Sequence, residues 1–122
     1  MTSKPDCIGV FALLPTSQGG REGSVLSGYR PQHLLHDNYQ TSALHQYEDT
    51  DELHPGQAAT TKVWFITPEV YPRILWPGRV ISVFEGSKRV GSLRVTEVLN
   101  PHLLGLPESF QPLWTGPKED TR

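Results

Sequence analysis

The sequence predicts an all-β fold, and three observations predict it. Eleven Gly and eleven Pro are scattered as punctuation between short apolar runs, which leaves many turns and little room for long helices. The stretch GRVISVFEGSKRVGSLRVTEVL, from Gly78 to Leu99, reads as two apolar strands around a short polar turn, Glu85-Gly86-Ser87-Lys88, with a glycine free to take positive φ. Gly91 interrupts the second arm, as a bulge or a close backbone approach would require. Together these describe a curved, nearly closed sheet.

Strands are expected at Cys7–Leu14, Ser24–Leu26, His33–His36, Ala43–Gln46, Ala59–Ile66, Arg79–Phe84 and Lys88–Leu99. In the fifth run, Thr61, Val63 and Phe65 make a more apolar face than Thr60, Lys62 and Trp64, the pattern of a half-buried strand. In the sixth, Val80 and Phe84 fall on one side and Ile81 and Val83 on the other, so the hairpin belongs inside a sheet. Between Thr67 and Pro77 three prolines among Tyr71, Ile74, Leu75 and Trp76 predict a long ordered loop that covers apolar surface. After Asn100, PHLLGLPESFQPLW is again apolar and broken by proline. It either straps Leu103, Leu104, Phe110 and Trp114 onto the barrel or belongs to a partner surface, and the strap is the preferred reading. The organisation expected is an N-terminal tail (1–6), a barrel (7–99) and a proline-rich extension with a polar tail (100–122).

Composition narrows the function. With 11 Lys and Arg against 13 Asp and Glu, no global positive field draws the chain to nucleic acid or an anionic membrane. Cys7 is the sole cysteine, which excludes an intrachain disulfide and a cysteine-rich zinc site and fits a reducing, cytoplasmic setting. The apolar run CIGVFALL lacks the cleavage pattern of a signal peptide, and no run approaches the ~20 residues of a membrane span. No membrane association is expected.

Motifs for chemistry are lacking. His33 and His36, three apart on a strand, face opposite ways and cannot share an ion, while His45, His54 and His102 read as surface or interface histidines. Ser24 and Ser27 lie outside any nucleophile elbow, and no phosphate-cradling glycine motif occurs, so neither an enzyme nor a nucleotide or other cofactor is expected. Charge says more: Arg79, Lys88, Arg89 and Arg94 against Glu85 make the hairpin basic, and Glu48, Asp49, Asp51 and Glu52 make YEDTDELHPG acidic. Two opposed poles are expected, one facing phosphate and one facing a basic partner.

GGREGSVLSGYRPQ, from Gly19 to Gln32, and the final hairpin together resemble the C-terminal, third domain of elongation factor Tu, with its Gly-Gly-Arg entry, Gly-Tyr-Arg-Pro-Gln strand and closing hairpin with Glu-Gly and Val-Gly. The likeness runs from about Ile8 to Leu99 and includes the Pro-Gly turn at His54–Gln57. It implies a six-stranded antiparallel Greek-key barrel without the family's nucleotide-binding domain, so GTP hydrolysis is not carried over. It also implies tRNA-contacting positions at Arg21, Gln32, Thr41, Glu85 and Gly86, with Lys88 and Arg89 beside them. Three departures weaken that face: Glu22 replaces a histidine, Phe84 an arginine and Thr67 a lysine. The region Tyr71–Trp76 is longer than in the family, and the chain continues past Leu99. The resulting expectation is a non-catalytic binding module whose partner is a translation-associated or toxin-like protein, using Tyr71, Trp76, Glu48 and Asp49, with weak tRNA binding as the alternative.

Overall fold

A computed structural model describes residues 3–36 and 39–109. Its strands are β1 (Cys7–Leu13), β2 (Val25–Leu26), β3 (Gln32–His36), β4 (Tyr39–Tyr47), β5 (Glu52–Leu53), β6 (Ala58–Phe65), β7 (Val80–Glu85) and β8 (Lys88–Val98). Six of them close an antiparallel barrel in the order β1-β6-β4-β3-β7-β8, and β2 pairs with β5 in a separate two-stranded sheet. The hairpin does belong inside the sheet, since β7 lies between β3 and β8.

Alternation fills the barrel as the period of a strand requires. Ala59, Thr61, Val63 and Phe65 point inward on β6, and Ile81 and Val83 on β7, while Val80 stays exposed. At Gly91 the close approach is real: a Cβ there would stand 2.8 Å from the Phe11 ring and collide with the Ala12 carbonyl. The neighbouring ladder slips between Val83 and Phe84, leaving Val90 as the extra residue of a bulge. Glycine at 91 lets β8 press onto β1.

The turns at 48–51 and 86–87 leave the barrel at the same end, because β4 and β7 are both antiparallel to β3. This corrects the expectation of opposed poles. The acidic and basic loops are neighbours, linked through Glu52, Ser24, Arg21 and Glu85. Arg79 also leaves the basic set: its guanidinium lies over Trp76, 5.2 Å from the ring centre, and donates to the Ile74 and Leu35 carbonyls, and burial lowers its pKa to about 10. It is a structural cation.

At the opposite end the loop after β6 and the segment after β8 bind each other. Arg73 N–H donates to the His102 carbonyl at 3.0 Å, Leu75 N–H to Leu103 at 2.9 Å and Gly105 N–H to Leu75 at 2.8 Å. Tyr71, Ile74, Leu75 and Leu103 are thereby buried in the core, whereas Leu104 and Leu106 remain exposed. The strap thus holds for Leu103 and not for Leu104; Phe110 and Trp114 lie outside the described residues. Burial also takes the Tyr71 ring off the surface where a partner role was expected for it. It packs 5.9 Å from the Tyr39 ring.

Candidate functional site

The turn end carries most of the positions singled out by sequence, and its centre is Tyr29. A backbone ladder from Gly28 to Pro31 continues β3 against β4, with His45 N–H donating to the Tyr29 carbonyl at 2.9 Å, so the phenol sits at the barrel mouth. Its hydroxyl donates to Glu85, and burial followed by this acceptor raises its pKa, keeping the phenol protonated. Arg21 lies over the same ring, 5.7 Å from its centre, with Nε 2.9 Å from Glu85 Oε2. That second contact lacks hydrogen-bond alignment and is ionic, while Nη1 donates to the Gly23 carbonyl at 2.9 Å. Arg21 and Glu85 neutralise each other over an aromatic ring.

The remaining positions differ in environment. Gln32 donates to Ser42 Oγ at 2.8 Å on the outer wall, and Gly86 takes φ 63° in the turn that sets Lys88 beside Glu85. Lys88, Arg89, Glu48 and Asp49 are exposed, and none of the four forms an ion pair among the described residues. Thr41 is buried opposite His33, so its side chain is withdrawn from the surface on which an RNA contact was expected. Trp76 is partly buried under Arg79.

Sequence reasoning missed a polar chain inside the barrel. His45, read as a surface residue, is fully buried beside His33, with Nε2 to Nε2 at 3.0 Å. His33 Nδ1 stands 3.2 Å from the Pro31 carbonyl and His45 Nδ1 3.2 Å from the Tyr47 hydroxyl. A carbonyl only accepts, so His33 carries its proton on Nδ1 and accepts at Nε2. His45 must then donate from Nε2 and accept the Tyr47 hydroxyl at Nδ1. Every polar atom in the chain is paired, and both rings are neutral. Burial lowers the pKa of His33 to about 4 and that of His45 well below the usual histidine value, the second ring being further disfavoured by charge on the first. The signal available in sequence was the alternation of Thr41, Ala43, His45 and Tyr47, but Ser42, Leu44 and Gln46 made the opposite face look no less plausible as the inner one.

His36 is buried as well, because the ladder slips between Leu34 and His36 and lets Leu35 and His36 both turn inward. Among the described residues no group of three or more His, Cys, Asp or Glu side chains is arranged to hold a metal ion. The thiol of Cys7 is fully buried, with burial and the nearby Asp6 pushing its pKa up to about 12. No protein-family model matches the chain. The turn end brings together an aromatic ring, a neutralised arginine and two cations, Lys88 and Arg89, that form no ion pair among the described residues, with a group of carboxylates at the same end.

Proposed function

We propose that the chain is a non-catalytic binding module on a barrel of the elongation factor Tu third-domain type, and that its partner is a protein. A mimic of that domain would engage something that normally binds the factor: an exchange factor, a toxin, or the factor's own nucleotide-binding domain. An immunity-type role is one form of this. The closed six-stranded antiparallel barrel is compatible with the likeness, and the retained Gly-Tyr-Arg-Pro-Gln stretch supplies Tyr29 and Gln32 to the turn end and adjoining wall.

The observation that carries the choice of a protein over RNA is how charge is committed there. Arg21 is neutralised by Glu85, and Lys88 and Arg89 lie at the same end of the barrel as the exposed acidic loop that carries Glu48, Asp49, Asp51 and Glu52. Affinity for a nucleic-acid backbone grows with the number of phosphates neutralised, and the turn end offers Lys88 and Arg89 without a row of cations that would track a phosphate backbone. The second reading, weak tRNA binding, draws on Arg21, Gln32, Glu85, Gly86, Lys88 and Arg89 lying within one end of the barrel and its adjoining wall.

A gel-shift titration with bulk aminoacyl-tRNA from about 50 to 200 mM salt separates them. No shift even at low salt is the expected outcome, together with capture of an identified translation-associated or toxin-like protein by the tagged chain. Binding that is salt-sensitive and abolished by the double reversal Lys88→Glu and Arg89→Glu would replace the protein reading with the RNA one.

A further inference from the structure

The barrel's charges are unevenly divided between its walls and its loops. Strands β3, β4 and β6 contain no Asp or Glu, and β7 has only Glu85, at its last position and already engaged by Tyr29 and Arg21. In register across the outer surface, Arg89 stands beside Phe84, Phe84 beside Gln32 and Gln32 beside Ser42, whose carbonyl accepts from Ile66 N–H. One row further along β4, Leu44 lies beside Trp64, and Arg30 faces them where the Gly28–Pro31 ladder extends β3.

This wall has an open apolar recess. A shallow pocket of about 170 Å³ lies between Arg30, Ser42, Leu44, Trp64 and Ile66, with Ile66 67% exposed. The indole of Trp64 is fixed in place by its N–H donating to the Ser3 carbonyl at 2.9 Å. Ser42 Oγ accepts from Gln32, which leaves its hydrogen for an incoming acceptor. Arg30 is exposed and in no ion pair among the described residues, as is Arg89. The wall therefore combines a recess with an aromatic and aliphatic floor and Arg30 at its edge with a second cation, Arg89, at its far side, neither of them in an ion pair among the described residues.

We infer that this outer wall is the docking face for an extended acidic segment of a protein partner, one that alternates carboxylates with apolar side chains. The inference rests on the binding-module reading and names the chemistry of its ligand. Charge complementarity argues for it: carboxylates would meet Arg30 and Arg89, and the apolar residues between them would enter the recess at Trp64 and Ile66 and lie against Phe84. From Arg89 to Ile66 the path crosses four strand spacings, about 19 Å, the length of about six extended residues. A single-stranded nucleic acid would instead want a row of cations tracking its phosphates, and the centre of this wall is apolar.

The test titrates the isotopically labelled full chain with a short peptide alternating Asp or Glu with Leu or Phe, its twin with Lys in the acidic positions, and oligouridylate, following amide resonances. The acidic peptide is expected to move Ser42, Leu44, Trp64, Ile66 and Phe84 and leave Glu48 and Asp49 unmoved. Ile66→Glu and, separately, Arg30→Glu should each weaken it at least about tenfold. Both positions are exposed, and unchanged melting of either variant shows that folding is not the cause. Equal binding of the lysine twin, resonance changes confined to the turn end, or tighter binding of oligouridylate to the same wall would overturn the inference. If a captured protein partner binds both variants as well as the parent chain, the wall is excluded while the binding-module reading stands.

Discussion

The two halves of the barrel interior are built differently. Near the turn end the core is aromatic and polar: Phe11 packs edge-on to His45 with ring centres 4.7 Å apart, and His33, His45 and Tyr47 are joined by hydrogen bonds. Near the strapped end aliphatic side chains predominate, with Leu35, Ile74, Leu75, Ile81 and Leu103 buried alongside Tyr71 and His36. The first half has directional partners and depends on each of them. The second depends on volume and on two loops staying together. A buried hydrogen-bonded chain fixes orientation at the mouth of the candidate site, whereas aliphatic packing tolerates substitution and closes the end away from it.

Acid should separate the halves most strongly. Both histidines have folded pKa values below the unfolded value of about 6.5, so at neutral pH each is unprotonated whether folded or not. As pH falls below about 6.5 the unfolded chain takes up protons that the folded chain refuses, and stability declines by about 1.4 kcal/mol per pH unit per histidine, down to about pH 4 for His33. Denaturant unfolding at pH 7, 6 and 5 measures this slope. A flat profile in that window would mean that the chain is not a proton-refusing unit. In a His33→Leu, His45→Leu double variant the slope should largely vanish.

A smaller effect is expected at the strapped end. Gly105 has no room for a side chain, since a Cβ would stand 2.9 Å from Arg73 Cβ and collide with the Arg73 carbonyl, and Arg73 itself is held at φ 56°. Gly105→Ala should part the two loops and cost about 1–3 kcal/mol, read as a lower denaturation midpoint with the acid slope unchanged. If the variant altered the acid slope too, the halves would be coupled rather than independent.

The smallest effect belongs to Arg21→Ala. The arginine is partly exposed and neutralised at the surface, so its removal should cost less than about 1 kcal/mol of thermal stability. A larger loss would make the Arg21, Tyr29 and Glu85 cluster a structural lid on the aromatic half rather than a recognition surface.

Much of the fold was legible in the sequence because alternation and turn chemistry are local. The hairpin of β7 and β8 announced itself through Gly86 and Gly91, and β6 through Thr61, Val63 and Phe65. What escaped was non-local. Strand β5 is two residues long and exists only because Val25 lies opposite Leu53; β4 begins at Tyr39, earlier than its apolar run suggested. The site was less legible still. Arg21, Gln32 and Glu85 were found through their motifs, but nothing in the chain between residues 21 and 85 reports that one of these charges cancels another. The arrangement of His33 and His45 likewise depends on register between two strands, which sequence spacing alone does not give.

Arg79 has a consequence for how the closed sheet opens. Strands β3 and β7 are in register only at Gln32–Phe84 and His33–Val83, whereas β7 and β8 are paired along almost their whole length. Where that short ladder gives out, Arg79 reaches across to the Leu35 carbonyl and also holds Ile74 from the strap. The cylinder therefore has a seam closed by a short ladder and, beyond it, by the Arg79 side chain, which joins the seam to the loop assembly at the same point. Solvent exchange of the backbone amides in β3 and β7 should accordingly outpace that of β1.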